Sequence, residues 1–326
     1  MSSRLLRVWH GGGKRFPSIH LFFAAALLGG FLNTAAVGGE NDRVMEFSGA
    51  RAMELLTAQC DLGPRIPGSA GNRQLREMIV AVARKNGLVV HTLCFDAIDP
   101  MSGKAVQLCN VVVSAGPEEG ERLWLGAHFD TRPVCDQDDD PDLRSTPLTG
   151  ANDGASGVAV LLHLIEIMGG NAPPQGVDLM FFDGEDSGLS GDPAGFCLGS
   201  RRLAATCRDF GNPLSRGTPR GVIILDMVGE KNLQIPMEAY SAVNSPGWIA
   251  EIFERAEKLG LGAFVPQRGP AVYDDHVPFL ELGIPAVDLI DFDFPQWHTT
   301  ADTPDICSGA SLAQVGRLVA DLIYNP

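Results

Sequence analysis

The sequence predicts a three-layer α/β sandwich, a mostly parallel central sheet flanked by helices. Three observations predict it. Short apolar runs at 106–114, 123–127, 177–182, 221–226 and 286–290 have the length of buried strands. Segments with helical spacing alternate with them, the pattern of strand–helix–strand units. Side chains suited to metal or proton chemistry recur just past the runs: His128 and Asp130, then Asp183, Glu185 and Asp186, then Asp226, then His298. Active sites of open parallel sheets lie beyond the carboxyl ends of the strands, so the chemical pattern and the fold pattern agree.

Taken in order, 52–59 and 72–85 are predicted helices, separated by the turn Gly63-Pro-Arg-Ile-Pro-Gly-Ser69. The second carries Leu75, Ile79, Val82 and Ala83 at helical spacing and stops at Gly87. Strands follow at 88–95 and 106–114, the latter expected as a partner of 123–127. Alternate residues of a strand share a face, so His128 and Asp130 point the same way. The charge run Cys135-Asp-Gln-Asp-Asp-Asp-Pro-Asp142 reads as a solvated loop. Gly150-Ala-Asn-Asp153 forms the turn into an apolar helix over 154–169, whose His163 reads as a core or interface histidine. After strand 177–182, a Gly-rich loop over 184–199 leads to a helix start at 200–205. Strand 221–226, a helix over 248–259, the stretch Tyr273-Asp-Asp-His276-Val-Pro-Phe279, strand 286–290 and an amphipathic helix over 312–324 complete the chain. The pattern shows no internal repeat and no second domain.

With 45 % hydrophobic and 20 % charged residues, the 326-residue chain suits one large globular domain. Its formal net charge is −15, and Arg4, Arg7, Lys14 and Arg15 all precede the first acid, Glu40, so the remainder is more acidic still. That balance argues against nucleic acid or an anionic membrane surface as a partner. The basic start, the apolar run 21–32 and the small residues around 33–39 read as an export signal. The expected plan is therefore a signal peptide or membrane anchor over 1–38 and a single domain over 39–326, in a periplasmic or secreted protein. Seven widely spaced cysteines include no Cys-x-x-Cys pair, which excludes zinc-finger and thioredoxin readings. One to three disulfides are expected, with at least one thiol left over. Oligomeric state is not legible.

As a set the motifs resemble one family, the M28-type zinc exopeptidases of the aminopeptidase kind, with their branch of glutaminyl cyclases. The resemblance runs from about residue 55 to the end. It rests on Gly63-Pro-Arg, His128-x-Asp130, Gly150-Ala-Asn-Asp153, Phe182-Asp-Gly-Glu185-Asp186, Gly199-Ser-Arg-Arg-Leu203, Leu225-Asp226, Asp274-Asp-His276-x-Pro-Phe279 and Trp297-His298-Thr299. It implies a zinc exopeptidase-like fold with Asp153, Asp186 and His298 as zinc ligands and Glu185 as the catalytic acid/base. In peptidase relatives a second zinc lies on His128 and Asp226, bridged by the residue matching Asp153, while Asp130 orients His128. The family more often has glutamate where Asp186 stands, and aspartate still ligates zinc.

The carboxy-terminal motifs resemble the cyclase branch, which implies one zinc and substrates with amino-terminal glutamine. Asp226 and Asp274 would form a catalytic hydrogen-bonded network, Trp297 would stack on the substrate, and Phe294 and Tyr273 would line its pocket. Two alternatives are carried: a di-zinc aminopeptidase using His128 and Asp226, and an inactive binding module, which the complete ligand set argues against. Gly191 stands where animal cyclases carry tryptophan, and Ala127 where they carry one cysteine of a disulfide. His276 reads as holding its loop together, and Asp183 and Asp302 as turn groups.

Overall fold

Every second residue of the apolar runs faces the same side of the sheet, and the two sides are covered differently. A computed structural model describes residues 46–209 and 211–326. Within them lie α1 (Gly49–Cys60), α2 (Ala70–Lys85), β1 (Val89–Ile98), β2 (Ala105–Ala115), β3 (Glu121–His128), α3 (Ala155–Gly170), β4 (Gly176–Phe182) and α4 (Leu198–Thr206). Then follow β5 (Thr218–Asp226), β6 (Ile235–Met237), α5 (Ala239–Asn244), α6 (Pro246–Lys258), β7 (Phe264–Arg268), α7 (Val277–Glu281), β8 (Ala286–Ile290) and α8 (Gly309–Tyr324). The expected export segment lies outside the described residues, and among these no helix is long and apolar enough to cross a membrane.

The main sheet runs β1-β2-β4-β3-β5-β8. Its last four strands are parallel, and β1 and β2 add an antiparallel edge. On one side Val111, Leu123, Leu125, Val177, Leu179, Ile223, Leu225, Val287 and Leu289 join the large core beneath α1, α2, α3, α6 and α8. On the other, Val112, Trp124, Met180, Phe182, Val222 and Ile224 pack under α4 and α7. The three layers are those predicted, with one correction. Segment 106–114 was expected beside 123–127, but β4 lies between them, antiparallel to β2 and parallel to β3. The crossover through α3 returns the chain to that slot, and chain order alone does not reveal it.

Helix α3 is apolar on all sides because it is buried on all sides. It comes unusually close to the sheet: a Cβ on Gly157 would stand 2.0 Å from the carbonyl oxygen of Leu225. Glycine there sets the depth of the helix start, and with it the height of Asp153 above the strand ends. Helix α2 begins where the Ser69 hydroxyl accepts the Asn72 N–H at 3.2 Å, and it buries Leu75, Ile79 and Ala83. The short elements β6, β7, α5 and α7 were not foreseen, because three to six residues carry too little periodicity.

Cys94 and Cys109, directly opposite on β1 and β2, form a disulfide, while Cys60, Cys135, Cys197, Cys207 and Cys307 are free thiols. At the amino-terminal end of the parallel strands, far along them from the functional end, Arg122 donates to Asp178 through Nε at 2.6 Å and Nη2 at 2.9 Å. Ser114 adds a hydroxyl donor at 2.6 Å, and both charged groups are buried. Breaking a buried pair strands a charge. Arg122→Met is therefore expected to lower unfolding stability by about 3–5 kcal/mol in denaturant titration, whereas Arg122→Met with Asp178→Leu recovers most of the loss.

Candidate active site

The four parallel strands deliver their chemistry to one rim. His128 ends β3, Asp183 to Asp186 follow β4, Asp226 ends β5, and 291–298 follow β8. Asp153 lies in the turn into α3, where Gly154 adopts φ +85° and a Cβ would meet the His128 ring at 2.9 Å. That turn is held from below. Asp302 accepts the N–H groups of Asn152 at 2.7 Å and Asp153 at 3.1 Å, and the buried Arg65 donates to the carbonyls of Gly150 and Thr149. The Gly63-Pro-Arg motif is thus a support for the Asp153 turn. Asp183, the turn group expected, accepts from Asn72 and from the Cys109 N–H, both at 2.8 Å. Asp130 stands 3.8 Å from His128 Nδ1, and its two oxygens accept the N–H groups of Glu185 and Asp186. His276 Nε2 lies 3.2 Å from Glu238.

Asp153, Asp186 and His298 offer ligand atoms that all lie within 4.8 Å of one another. His298 Nε2 is 3.4 Å from Asp153 Oδ2 and 3.3 Å from Asp186 Oδ2. Asp186 Oδ2 is buried without a hydrogen-bond partner, while its Oδ1 accepts from Arg132 at 2.9 Å. Two carboxylates and an imidazole, with one buried oxygen unanswered, are a donor set that fits zinc. A second group, His128, Asp153 and Asp226, meets the same distance criterion, His128 Nε2 lying 3.2 Å from each carboxylate. Burial disfavours charge on His298, but the carboxylates of Asp186, Asp136 and Asp153 outweigh it and push its pKa up to about 12. A field so negative also suits a cation.

The acids behind this centre behave differently. Burial drives the pKa of Glu185 well upward, against the pull of His128 and with the push of Asp186 and Asp274. Burial likewise raises Asp226 to about 7 and raises Asp274. Asp274 Oδ1 accepts the Asp275 N–H at 2.5 Å, and Oδ2 is buried without a partner. Burial thus pushes all three toward the protonated form. The Cys197 thiol lies 3.6 Å from Glu185 Oε1.

A cavity of about 310 Å³ joins them, lined by Asp153, Glu185, Asp186, Asp226, Asp274 and His298, with Tyr273, Trp297, Gly191 and Phe196 at its walls. Trp297 stacks on His298 with ring centres 3.9 Å apart. Tyr273 is clamped at the rim by Arg201, which donates to its hydroxyl at 2.6 Å. Phe294 differs from expectation: it is buried with Met227, Val272 and Ile290, and Phe292 takes the wall. The side chain of Asp291 accepts the Asp293 N–H at 3.2 Å, and this turn aims the two phenylalanines differently. The acidic loop is also corrected in part. Residues 139–142 are solvated, but Asp136 lies 3.4 Å from His298 Nδ1 and is clasped by Arg132, and Asp138 accepts from Thr300. Arg132, Asp136, Phe292 and Cys197 were missed. The signal available for Arg132 was a lone cation two residues past His128-x-Asp130, amid a run of acids.

Peptidase family M28 matches residues 110–323, and the chain belongs to that family. The mouse glutaminyl-peptide cyclotransferase-like protein is 29 % identical, the match covering 78 % of this chain and 70 % of the relative. A glutaminyl cyclase structure from Porphyromonas gingivalis is 36 % identical with TM-score 0.79, covering 85 % of this chain and 98 % of that one. A leucine aminopeptidase precursor from Bacteroides thetaiotaomicron is 32 % identical with TM-score 0.82, covering 87 % and 99 %. Within the family, the cyclotransferase relatives put the chain in the glutaminyl cyclase branch, as its motifs implied.

Asp136 orients His298 without lining the cavity, so its loss should act through the metal. Asp136→Asn is expected to weaken zinc affinity roughly 10- to 100-fold, measured by competition with a chromophoric chelator.

Proposed function

We propose that the protein is a glutaminyl-peptide cyclotransferase, converting amino-terminal glutamine to pyroglutamate with release of ammonia. One observation carries the reading: Glu185, its pKa pushed well upward by desolvation, shares a cavity of about 310 Å³ with Asp153, Asp186 and His298. In this proposal these three hold one zinc, which when bound polarises the γ-carboxamide carbonyl of the substrate. Glu185 takes a proton from the α-amine as its nitrogen bonds to the carboxamide carbon. The same carboxyl then returns the proton to the departing nitrogen as the old carbon–nitrogen bond breaks, leaving a lactam and ammonia. Asp226 and Asp274, both raised by burial, donate or accept hydrogen bonds around the amine as that proton moves. Trp297, Tyr273 and Phe292 give the cavity an aromatic wall against which a glutamine side chain can pack.

His128 touches Asp153 and Asp226 directly in this arrangement. The same contacts are what favours the second reading, a di-zinc aminopeptidase, since those three residues can hold an ion. Export is proposed from the amino-terminal segment, with residues 39–326 acting as one catalytic domain.

Purified protein is expected to cyclise Gln-peptides, to stop on zinc chelation, and to carry one zinc per chain. Release of free amino acid from Leu-peptides with two zincs per chain would reject the cyclase. Glu185→Gln should keep its zinc while kcat falls roughly 10²–10⁴-fold; loss of metal in that variant would make Glu185 a ligand instead.

A further inference from the structure

The pocket has a neighbour. A cleft of about 580 Å³ opens on the other side of Phe292, which lines both spaces. Two chain segments run from one into the other. Gly269 and Pro270 line the cleft and Ala271 to Asp274 the pocket, while Asp291, Phe292 and Asp293 border the cleft between Ile290 and Trp297 of the pocket. A peptide whose first side chain fills the pocket therefore meets the cleft along a shared wall as it leaves.

The cleft has a distinct charge. Three carboxylates line it, Glu230, Asp291 and Asp293, against one guanidinium, Arg268. Glu230 and Asp291 stand side by side, and burial together with the Asp291 charge pushes Glu230 up to about 7. Asp291 is fixed in place, accepting the N–H groups of Gln234 at 2.7 Å and Asp293 at 3.2 Å. Asp293 is exposed at the rim. A cationic group entering here meets Asp293 at the rim and the Glu230 and Asp291 carboxyls beyond it, whereas a carboxylate would add to the repulsion.

We propose that this cleft is a substrate subsite that takes a basic side chain, lysine or arginine, one or two residues after the amino-terminal glutamine. This deepens the cyclotransferase reading and rests on it for the placement of the glutamine. The preference is electrostatic, so it weakens as ionic strength rises.

The test uses zinc-loaded protein and Gln-peptides that differ only at the second and third residues, carrying lysine, alanine or glutamate. Cyclisation gives kcat/KM for the native chain, and calorimetry on Glu185→Gln gives affinity without turnover. Both should rank lysine over alanine over glutamate, with roughly three- to tenfold between the extremes, narrowing in high salt. Asp293→Lys should invert the order of the lysine and glutamate peptides. Equal constants for the three peptides, or a ranking untouched by Asp293→Lys, overturn the subsite. Ranked binding without any cyclisation keeps the subsite and overturns the cyclotransferase chemistry, so the two failures are distinct.

Discussion

Buried carboxylate is the constraint on which this structure turns. An ionised acid out of water needs partners, and Asp130, Asp153, Asp183, Asp186, Asp274, Asp288 and Asp302 are all buried near the ends of the parallel strands. The fold answers them in different ways. Backbone N–H groups take Asp130 and Asp302, which turns those acids into clamps on the loops around them. Imidazoles and a guanidinium take Asp153 and Asp186. At Glu185, Asp226 and Asp274 burial outweighs the partners present and pushes the pKa upward. Structural, ligating and proton-carrying acids thus differ in their donors, not in their chemistry.

The same rim stores backbone strain. Cys197, Met227 and His298 are the non-glycine residues with left-handed φ among those described, at 57°, 46° and 54°. Each adjoins the cavity or its acids: His298 as a candidate ligand, Met227 after Asp226, Cys197 beside Glu185. Such conformations persist only where surrounding packing enforces them, and they gather at functional sites. Here they aim side chains that regular strand ends would point elsewhere.

Much of this was legible in the residues themselves. Apolar runs marked β3, β4, β5 and β8, and the polar residues after each run marked the rim, because a parallel strand buried on both faces leaves only its end for chemistry. What escaped was set by contacts distant in sequence. The seat of β4 between β2 and β3 depends on a crossover, Arg132 and Asp136 matter only once 132–136 folds back over His298, and Phe292 replaces Phe294 through a turn made by Asp291. The motif Asp274-Asp-His276 was visible, but its surroundings were not: Asp288 arrives from β8 to face His276 at 3.8 Å.

The hold of Asp302 on the Asp153 turn has a consequence for assembly. Asp302 lies four residues past His298 and grips Asn152 and Asp153, while Asp138 grips Thr300 from the other side. The segments that carry two candidate ligands are thereby fastened to each other by the polypeptide itself. In small zinc domains ion and fold arrive together because nothing else joins the ligands. Here hydrogen bonds of the protein itself join those segments, so the arrangement of the candidate ligands does not wait for an ion.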